Sequence, residues 1–291
     1  MTYGLPKVSI VTPSLNQAEF LEEAMLSVLS QKYPNVEYIL IDGGSTDGSV
    51  DIIRKYEGRL AYWISERDQG QYDAINKGFS KTTGDIMAWL NSDDKYTPWA
   101  FQVVSEIFSH FPEVEWITSL YPLRVDKNGA VVDCSHRDGY SRKGFYRGEH
   151  MEGTGYYTKG WIQQESTFWR RSLWERAGGH LDLSLNFAGD FELWARFYKH
   201  SDLYGVGAPI SGFRKHGDQK TAKHSDSYVK EAKEVLSRYG GRSGGWISSL
   251  VRIKILGLIP ARQRRNAVGL GIMPACPVCI HDGIGWKLSL L

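Results

Sequence analysis

The first hundred residues alternate between short apolar runs and amphipathic stretches. Lys7–Thr12, Val36–Ile41, Leu60–Ser65 and Ile86–Leu90 are β-rich runs of the length expected for strands covered on both faces. Between them, Ala18–Gln31 places Phe20, Leu21, Met25, Val28 and Leu29 at helical spacing. Val50, Ile53 and Tyr56 mark a second helix, and Ala74, Ile75 and Phe79 a third over Tyr72–Ser80. Such a β-α-β-α-β-α-β succession predicts a parallel sheet with right-handed crossovers. The first strand is expected to stop at Pro13, which has no N–H for a ladder.

The second half changes style. Phe101–Phe111 reads as a helix and Val114–Arg124 as one strand, with a hairpin turn at Asp126–Ala130 signalled by Asn128-Gly129. Residues 134–160 are rich in Gly, Tyr, Arg and His without a period, which predicts a mobile, substrate-facing loop. A short helix over Arg171–Ala177 is closed by Gly178-Gly179. Another opens at Asn186-Phe-Ala-Gly-Asp190 and runs through Tyr198, and Tyr204–Phe213 reads as the last strand. A charged helix over Ser225–Tyr239 precedes a break at Gly240–Gly245. The expected architecture is α/β, a mostly parallel central sheet flanked by helices, with a helical carboxyl-terminal extension. Its parts are a first half (1–100), a second half of the same domain (101–225) and a basic extension (226–291).

The chemistry collects where the strands end. Asp85-Ile-Met-Ala-Trp-Leu-Asn-Ser-Asp-Asp94 is an apolar run that stops in carboxylates. Parallel strands place this end, Thr12–Asn16, Asp42–Asp47 and Asp68–Gln71 on one rim, where open α/β sheets bind ligands. Adjacent acids there repel unless a cation or substrate pairs them, and a hard divalent ion bridging to a diphosphate fits. A solvated turn capping a helix is the bland alternative. Neither G-x-G-x-x-G nor G-x-x-x-x-G-K-[ST] follows the first strand, so side chains rather than a glycine cradle must read a nucleotide. Asp190, at a helix start, is by default an N-cap.

Composition is that of an ordinary globular protein, and the net charge of +2 argues against a general polyanion binder. The charge is uneven, however. No acid lies between Glu234 and Asp282, while seven Lys and Arg do, so the rest of the chain is net acidic. Trp246–Ile259 is apolar and precedes Arg262, Arg264 and Arg265. That stretch suits either a helix docked on the body or one lying in an anionic membrane interface through residues 241–265. Cys134, Cys276 and Cys279 are too few for a disulfide framework. Cys276-Pro-Val-Cys279 has the spacing of half a zinc site, but no second pair exists and Cys134 is distant, so they read as ordinary thiols of a reducing compartment. No signal peptide and no bilayer-spanning run is legible.

Val8-Ser-Ile-Val-Thr-Pro-Ser-Leu-Asn16, Ile41–Gly48, Ser65–Gly70, Tyr72–Gly78, Leu90–Asp94, Gln164–Trp169 and Gly189–Arg196 resemble, in order, the successive motifs of family 2 glycosyltransferases of the bacterial surface-polysaccharide type. The resemblance covers roughly residues 5–220 and implies an inverting, metal-dependent transfer on the type A nucleotide-sugar fold. By position it implies that Thr12, Pro13, Ser14 and Asn16 contact the nucleotide, that Asp42 reads the base, and that Asp68, Gly70 and Asn76 lie beside it. Asn91-Ser92-Asp93 stands where the family has D-x-D, with Asn in place of the first Asp. Asp93 then matches a ligand of Mn²⁺ or Mg²⁺, His216 a histidine near the metal or diphosphate, and Asp190 the base. Gln164, Glu165, Trp169 and Asp94 fall on the acceptor side.

The implied partners are a nucleotide-diphosphate sugar, UDP being the commonest in the family, and a glycan or lipid-linked acceptor at the inner face of the cell membrane. No nucleic acid is implied, because the basic residues are confined to one segment and no binding motif is present. Two rivals stand beside this reading. A sugar-1-phosphate nucleotidyltransferase needs a basic glycine loop that Pro13–Phe20 lacks. A decayed, merely binding transferase is suggested by Asn91 and opposed by Asp93, Asp190 and His216 together.

Overall fold

The apolar runs of the first hundred residues form four parallel strands in a computed structural model that describes residues 4–151, 160–217, 219–242 and 275–291. β1 (Val8–Ser14), α1 (Ala18–Leu29), β2 (Val36–Asp42), α2 (Ser49–Tyr56), β3 (Tyr62–Ser65), α3 (Gln71–Phe79) and β4 (Ile86–Trp89) follow one another as expected. The period of two divides each strand between two helical layers. Val8, Ile10, Leu40, Ile86 and Ala88 pack with Leu21, Met25 and Val28 of α1. Val11, Ile39, Ile41, Met87 and Trp89 pack on the other face with Ala74, Ile75 and Phe79 of α3. Helix α3 lies so close to the sheet that a Cβ on Gly78 would stand 2.3 Å from a Val11 methyl.

β1 does not stop at Pro13 but continues to Ser14. β4 pairs with it only as far as Val11 opposite Trp89, so the ladder never asks Pro13 for a donor on that side.

The chain continues through β5 (Lys95–Tyr96), α4 (Ala100–His110), β6 (Trp116–Ser119), β7 (Leu123–Val125), β8 (Val131–Cys134) and α5 (Arg142–Phe145). Then come β9 (Phe168–Arg170), α6 (Arg171–Arg176), α7 (Gly189–His200), β10 (Tyr204–Val206), β11 (Ser211–Arg214), α8 (Lys220–Lys223) and α9 (Ser225–Arg238). β12 (Pro277–His281) and β13 (Trp286–Leu290) close it. The central sheet has the order β13-β12-β10-β6-β9-β4-β1-β2-β3, and a second sheet the order β5-β11-β7-β8. Parallel pairs dominate the central sheet, interrupted by the antiparallel β9 and ended by the antiparallel β13.

Four expectations are corrected. Val114–Arg124 is not one strand: β6 stays in the central sheet, while β7, after Tyr121-Pro122, enters the small one. Tyr204–Phe213 divides in the same way into β10 and β11 around Ala208-Pro209. A proline ends each ladder, so one apolar run serves two sheets. Residues 138–151 are not a loose loop, because Tyr140, Phe145 and Met151 are fully buried in the core; residues 152–159 lie outside the described part. The extension is helical in α9 but ends as the hairpin β12–β13 on the central sheet, turning through Asp282-Gly283-Ile284-Gly285. The apolar Trp246–Ile259 and the arginines after it also lie outside the described residues.

Candidate active site

The polar strand ends converge on a cleft of about 350 Å³. Pro13, Ser14, Asp68, Gly70, Asn91, Ser92, Asp93 and Asp94 line its amino-terminal side. Gln164, Glu165 and Asp190, from the second half of the chain, line the same cleft. The structure therefore brings together eleven of the residues singled out from sequence, drawn from both halves of the chain.

The carboxylates are held by different means. Asp94 is 1% exposed and accepts from the Arg214 backbone N–H (2.9 Å) and from the Asn91 amide (3.3 Å). Burial, then the charge of Asp93 beside it, pushes its carboxyl well above the usual range. Asp93 lies 3.0 Å from His216 Nε2, and the His216 ring packs on Phe20 at 4.6 Å. Glu165, 3% exposed, is pushed up to about 8 by burial and by the nearby charges of Asp93 and Asp190. It thus reports that the two acids share one neighbourhood. Asp190 is in the first turn of α7, and its Oδ1 accepts from the Phe191 N–H at 2.7 Å.

Asn91 works as an amide. Its oxygen accepts from Gln71 (2.8 Å), while its nitrogen faces Asp94 and Gln164. Asp68 presses against Gly43, where a Cβ would come within 2.7 Å of the carboxylate, and caps the Gly70 N–H at 2.8 Å. Gly70 itself has φ +115°, a conformation that favours glycine.

Six predicted residues stand off the cleft wall. Asp42 is fully buried, and it accepts from Gly44 and Ser45 N–H and from the Ser45 and Ser65 hydroxyls, at 2.5–3.1 Å. That carboxylate orders the loop rather than facing a ligand. Thr12 accepts from Tyr38 OH at 3.0 Å, and Asn16 accepts from Thr46 N–H at 2.9 Å with φ +52°. Asn76 brackets Leu181, donating to its carbonyl at 3.0 Å and accepting from its N–H at 2.8 Å. Trp169 is a fully buried core ring among Trp89, Trp194 and Phe197, so its place on the acceptor side is corrected. His216 touches Asp93 from behind the wall.

Other residues were missed. Tyr72, Trp161, Asn186, Phe187 and Tyr228 line the cleft. Arg214, fully buried, donates to the carbonyls of Asp93 (2.7 Å), Asp126 (3.2 Å) and Lys127 (2.9 Å) and pairs with Glu23 at 2.5 Å. Nothing in the local sequence around Arg214 signals those partners, which lie far away along the chain.

For a divalent ion, Asp93 and His216 offer one carboxylate and one imidazole converging at 3.0 Å. Among the described residues no group of three or more His, Cys, Asp or Glu could hold a metal alone. Two protein donors nonetheless fit Mg²⁺ or Mn²⁺, which take few carboxylates and complete their shell from phosphate and water.

A mostly parallel sheet whose strand ends line a cleft with carboxylates from both halves of the chain, one of them in the first turn of a helix, has the architecture of the ligand-binding open α/β class. Residues 9–122 match the family model described as glycosyl transferase family 2. An uncharacterized glycosyltransferase of Mycobacterium tuberculosis is 29% identical over 192 residues, covering 66% of this chain and 68% of its own. The structure of S. aureus TarS 1–349 in complex with UDP-GlcNAc superposes with a TM-score of 0.59 at 16% identity, over 92% of this chain and 76% of that one. The mannosyltransferase PcManGT from Pyrobaculum calidifontis, in complex with GDP-Man and Mn²⁺, gives a TM-score of 0.52 at 17% identity over 94% and 82%. Against the full TarS chain the match spans 47% of that protein's length. Residues 9–122 thus carry a glycosyltransferase family 2 domain, and the chain has the type A fold of the solved glycosyltransferases it resembles. No described helix is long and apolar enough to cross a membrane.

Proposed function

We propose that this glycosyltransferase inverts the anomeric centre as it moves a sugar from a nucleotide diphosphate, with UDP favoured, to a hydroxyl of a glycan or lipid-linked acceptor in surface-polysaccharide synthesis. The observation that carries this reading is that one cleft is lined both by Asp93, paired with His216, and by Asp190. Asp93 and His216 would hold the divalent ion, which when bound offsets the charge of the departing diphosphate. Pro13, Ser14, Asp68 and Gly70 line the side of the cleft that would receive the nucleotide.

Asp190 takes the proton of the acceptor hydroxyl as its oxygen attacks the anomeric carbon. The bond to the diphosphate breaks on the opposite face, and a single in-line displacement of this kind inverts the centre. A base so placed is worth on the order of 10²–10⁴-fold. Gln164 and Glu165 stand between the two acids. Buried and largely protonated below about pH 8, Glu165 can donate a hydrogen bond to a sugar hydroxyl without adding a third charge.

Two relatives support parts of this reading: TarS was captured with UDP-GlcNAc, and PcManGT with GDP-Man and Mn²⁺. The basic stretch at 241–265 is proposed to meet an anionic membrane surface on the cytoplasmic side. The test is thermal stability with UDP, GDP, dTDP or CMP, each with and without Mn²⁺. A ligand at a hundredfold excess over its Kd stabilises the fold by about 2.7 kcal/mol. A metal-dependent rise for one diphosphate is expected; no rise with any would leave the non-catalytic binding-protein reading in its place.

A further inference from the structure

Asp190 lies in the first turn of a helix whose N-cap residue supplies no side-chain hydrogen bond. The residue capping its helix is Ala188, which has no side-chain acceptor, and four backbone N–H groups, Asn186 to Gly189, precede it. An uncapped start of this kind frays unless something distant satisfies those donors.

Two side chains from other elements do so. Glu231 of α9 accepts from Asn186 N–H at 3.0 and 3.2 Å, from Phe187 N–H at 2.8 Å and from Ala188 N–H at 2.9 Å. Tyr72 of α3 takes the fourth, accepting from Gly189 N–H at 2.8 Å. The phenol comes so close that a Cβ on residue 189 would stand 2.6 Å from its ring. Farther back, Asn76 of the same helix brackets Leu181. The whole approach to Asp190 is thus pinned from outside itself.

Helix α9 is a rigid mount for this clamp. Ala232, Val235 and Leu236 are buried in the core, Arg238 pairs with Asp182 at 2.8 Å, and Tyr239 OH donates to Glu192 at 2.5 Å. One turn before Glu231, Tyr228 lines the cleft, as do Asn186 and Phe187 beneath the clamp. Charge-assisted bonds from a carboxylate to consecutive amides are among the stronger hydrogen bonds available to a loop.

We infer that Glu231 is a positioning residue for catalysis: through the amides of Asn186, Phe187 and Ala188 it sets the place of Asp190. Helix α9 is therefore part of the catalytic apparatus and not an appendage. The inference rests on the proposed role of Asp190 as base. Misplacing a reacting group by about 1 Å costs on the order of 10²-fold in rate.

The test compares Glu231→Ala, Glu231→Gln and Asp190→Asn in the full chain with three readouts: amide hydrogen exchange at residues 186–189, affinity for the stabilising diphosphate, and kcat. For Glu231→Ala the amides of Phe187 and Ala188 are expected to exchange faster, kcat to fall about 10- to 100-fold, and diphosphate affinity to stay within about twofold. Glu231→Gln keeps one acceptor oxygen and is expected to recover most of kcat and the protection of Phe187 and Ala188. A folded Glu231→Ala protein with parental kcat overturns the inference. So does a joint loss of kcat and diphosphate affinity that Gln does not rescue, since that is a merely structural effect. If the Ala variant aggregates, the Gln variant decides alone: parental protection with kcat within about tenfold supports the clamp, and lost protection with parental kcat overturns it. Asp190→Asn separates the two ideas, because its retaining turnover would remove the base assignment whatever Glu231 does.

Discussion

The two walls of the cleft are made in opposite ways. In the part built by the first hundred residues, each loop follows directly from the strand before it, and its side chains bind within that loop or the strand-end loops beside it. Asp42 binds residues 44, 45 and 65, and Asp68 binds residue 70. In the part of the cleft built by the second half of the chain, position comes from far along the chain: Asn76 holds Leu181, Tyr72 holds Gly189, and Glu231 holds Phe187 and Ala188. One wall is built by local sequence and the other by tertiary clamps. A local wall should tolerate changes elsewhere, while a clamped wall should fail when a distant partner is lost.

The largest expected effect separates chemistry from binding across that divide. Asp190→Asn should lower transfer by roughly 10²–10⁴-fold while the diphosphate still raises the melting temperature. Near-normal transfer in initial-rate assays would show that the acceptor wall supplies no base. Next comes Arg214→Ala, which leaves the carbonyls of Asp93, Asp126 and Lys127 without their donor and Glu23 without its partner. The expected cost in urea unfolding is roughly 2–4 kcal/mol, because carbonyls lose their donor while the half-exposed Glu23 can turn to water. A change below 1 kcal/mol would mean that the local loops hold Asp93 unaided.

The smallest effect is a pH dependence. The Glu165 carboxyl is raised in the fold from 4.5 to about 8. The native state therefore holds more protons than the unfolded one between these values, and stability must fall as pH rises through that window. Denaturant midpoints from pH 5 to 8 should decline more steeply in the parent than in Glu165→Gln. Parallel profiles would place the proton elsewhere.

This division also explains what was legible beforehand. The four parallel strands and the rim they share were readable because periodicity and strand ends are local signals, and Asp93 and Asp190 do line one cleft. The splits at Pro122 and Pro209 were not, since an apolar run says that it is buried but not in which sheet. Trp169 looked like part of a site because it follows Gln164 and Glu165, yet antiparallel pairing with Met87 and Trp116 carries it into the core. Asn76 and Asp42 had the right chemistry for a ligand and spend it on backbone. Glu231 was one more acid on a charged helix, its partners 43 to 45 residues away.

The carboxyl-terminal hairpin bears on how the protein can be handled. β12 pairs with β10 through Gly205–Val278 and Val206–Cys279, and Trp286 donates to Glu106 of α4 at 2.9 Å. A chain cut at Gly241 would lose the basic stretch and, with it, two strands, leaving β10 as a bare edge open to adventitious pairing. Vesicle binding by such a fragment would mix lost charge with a damaged sheet. Neutralising Arg262, Arg264 and Arg265 while leaving β12 and β13 in place asks the membrane question alone.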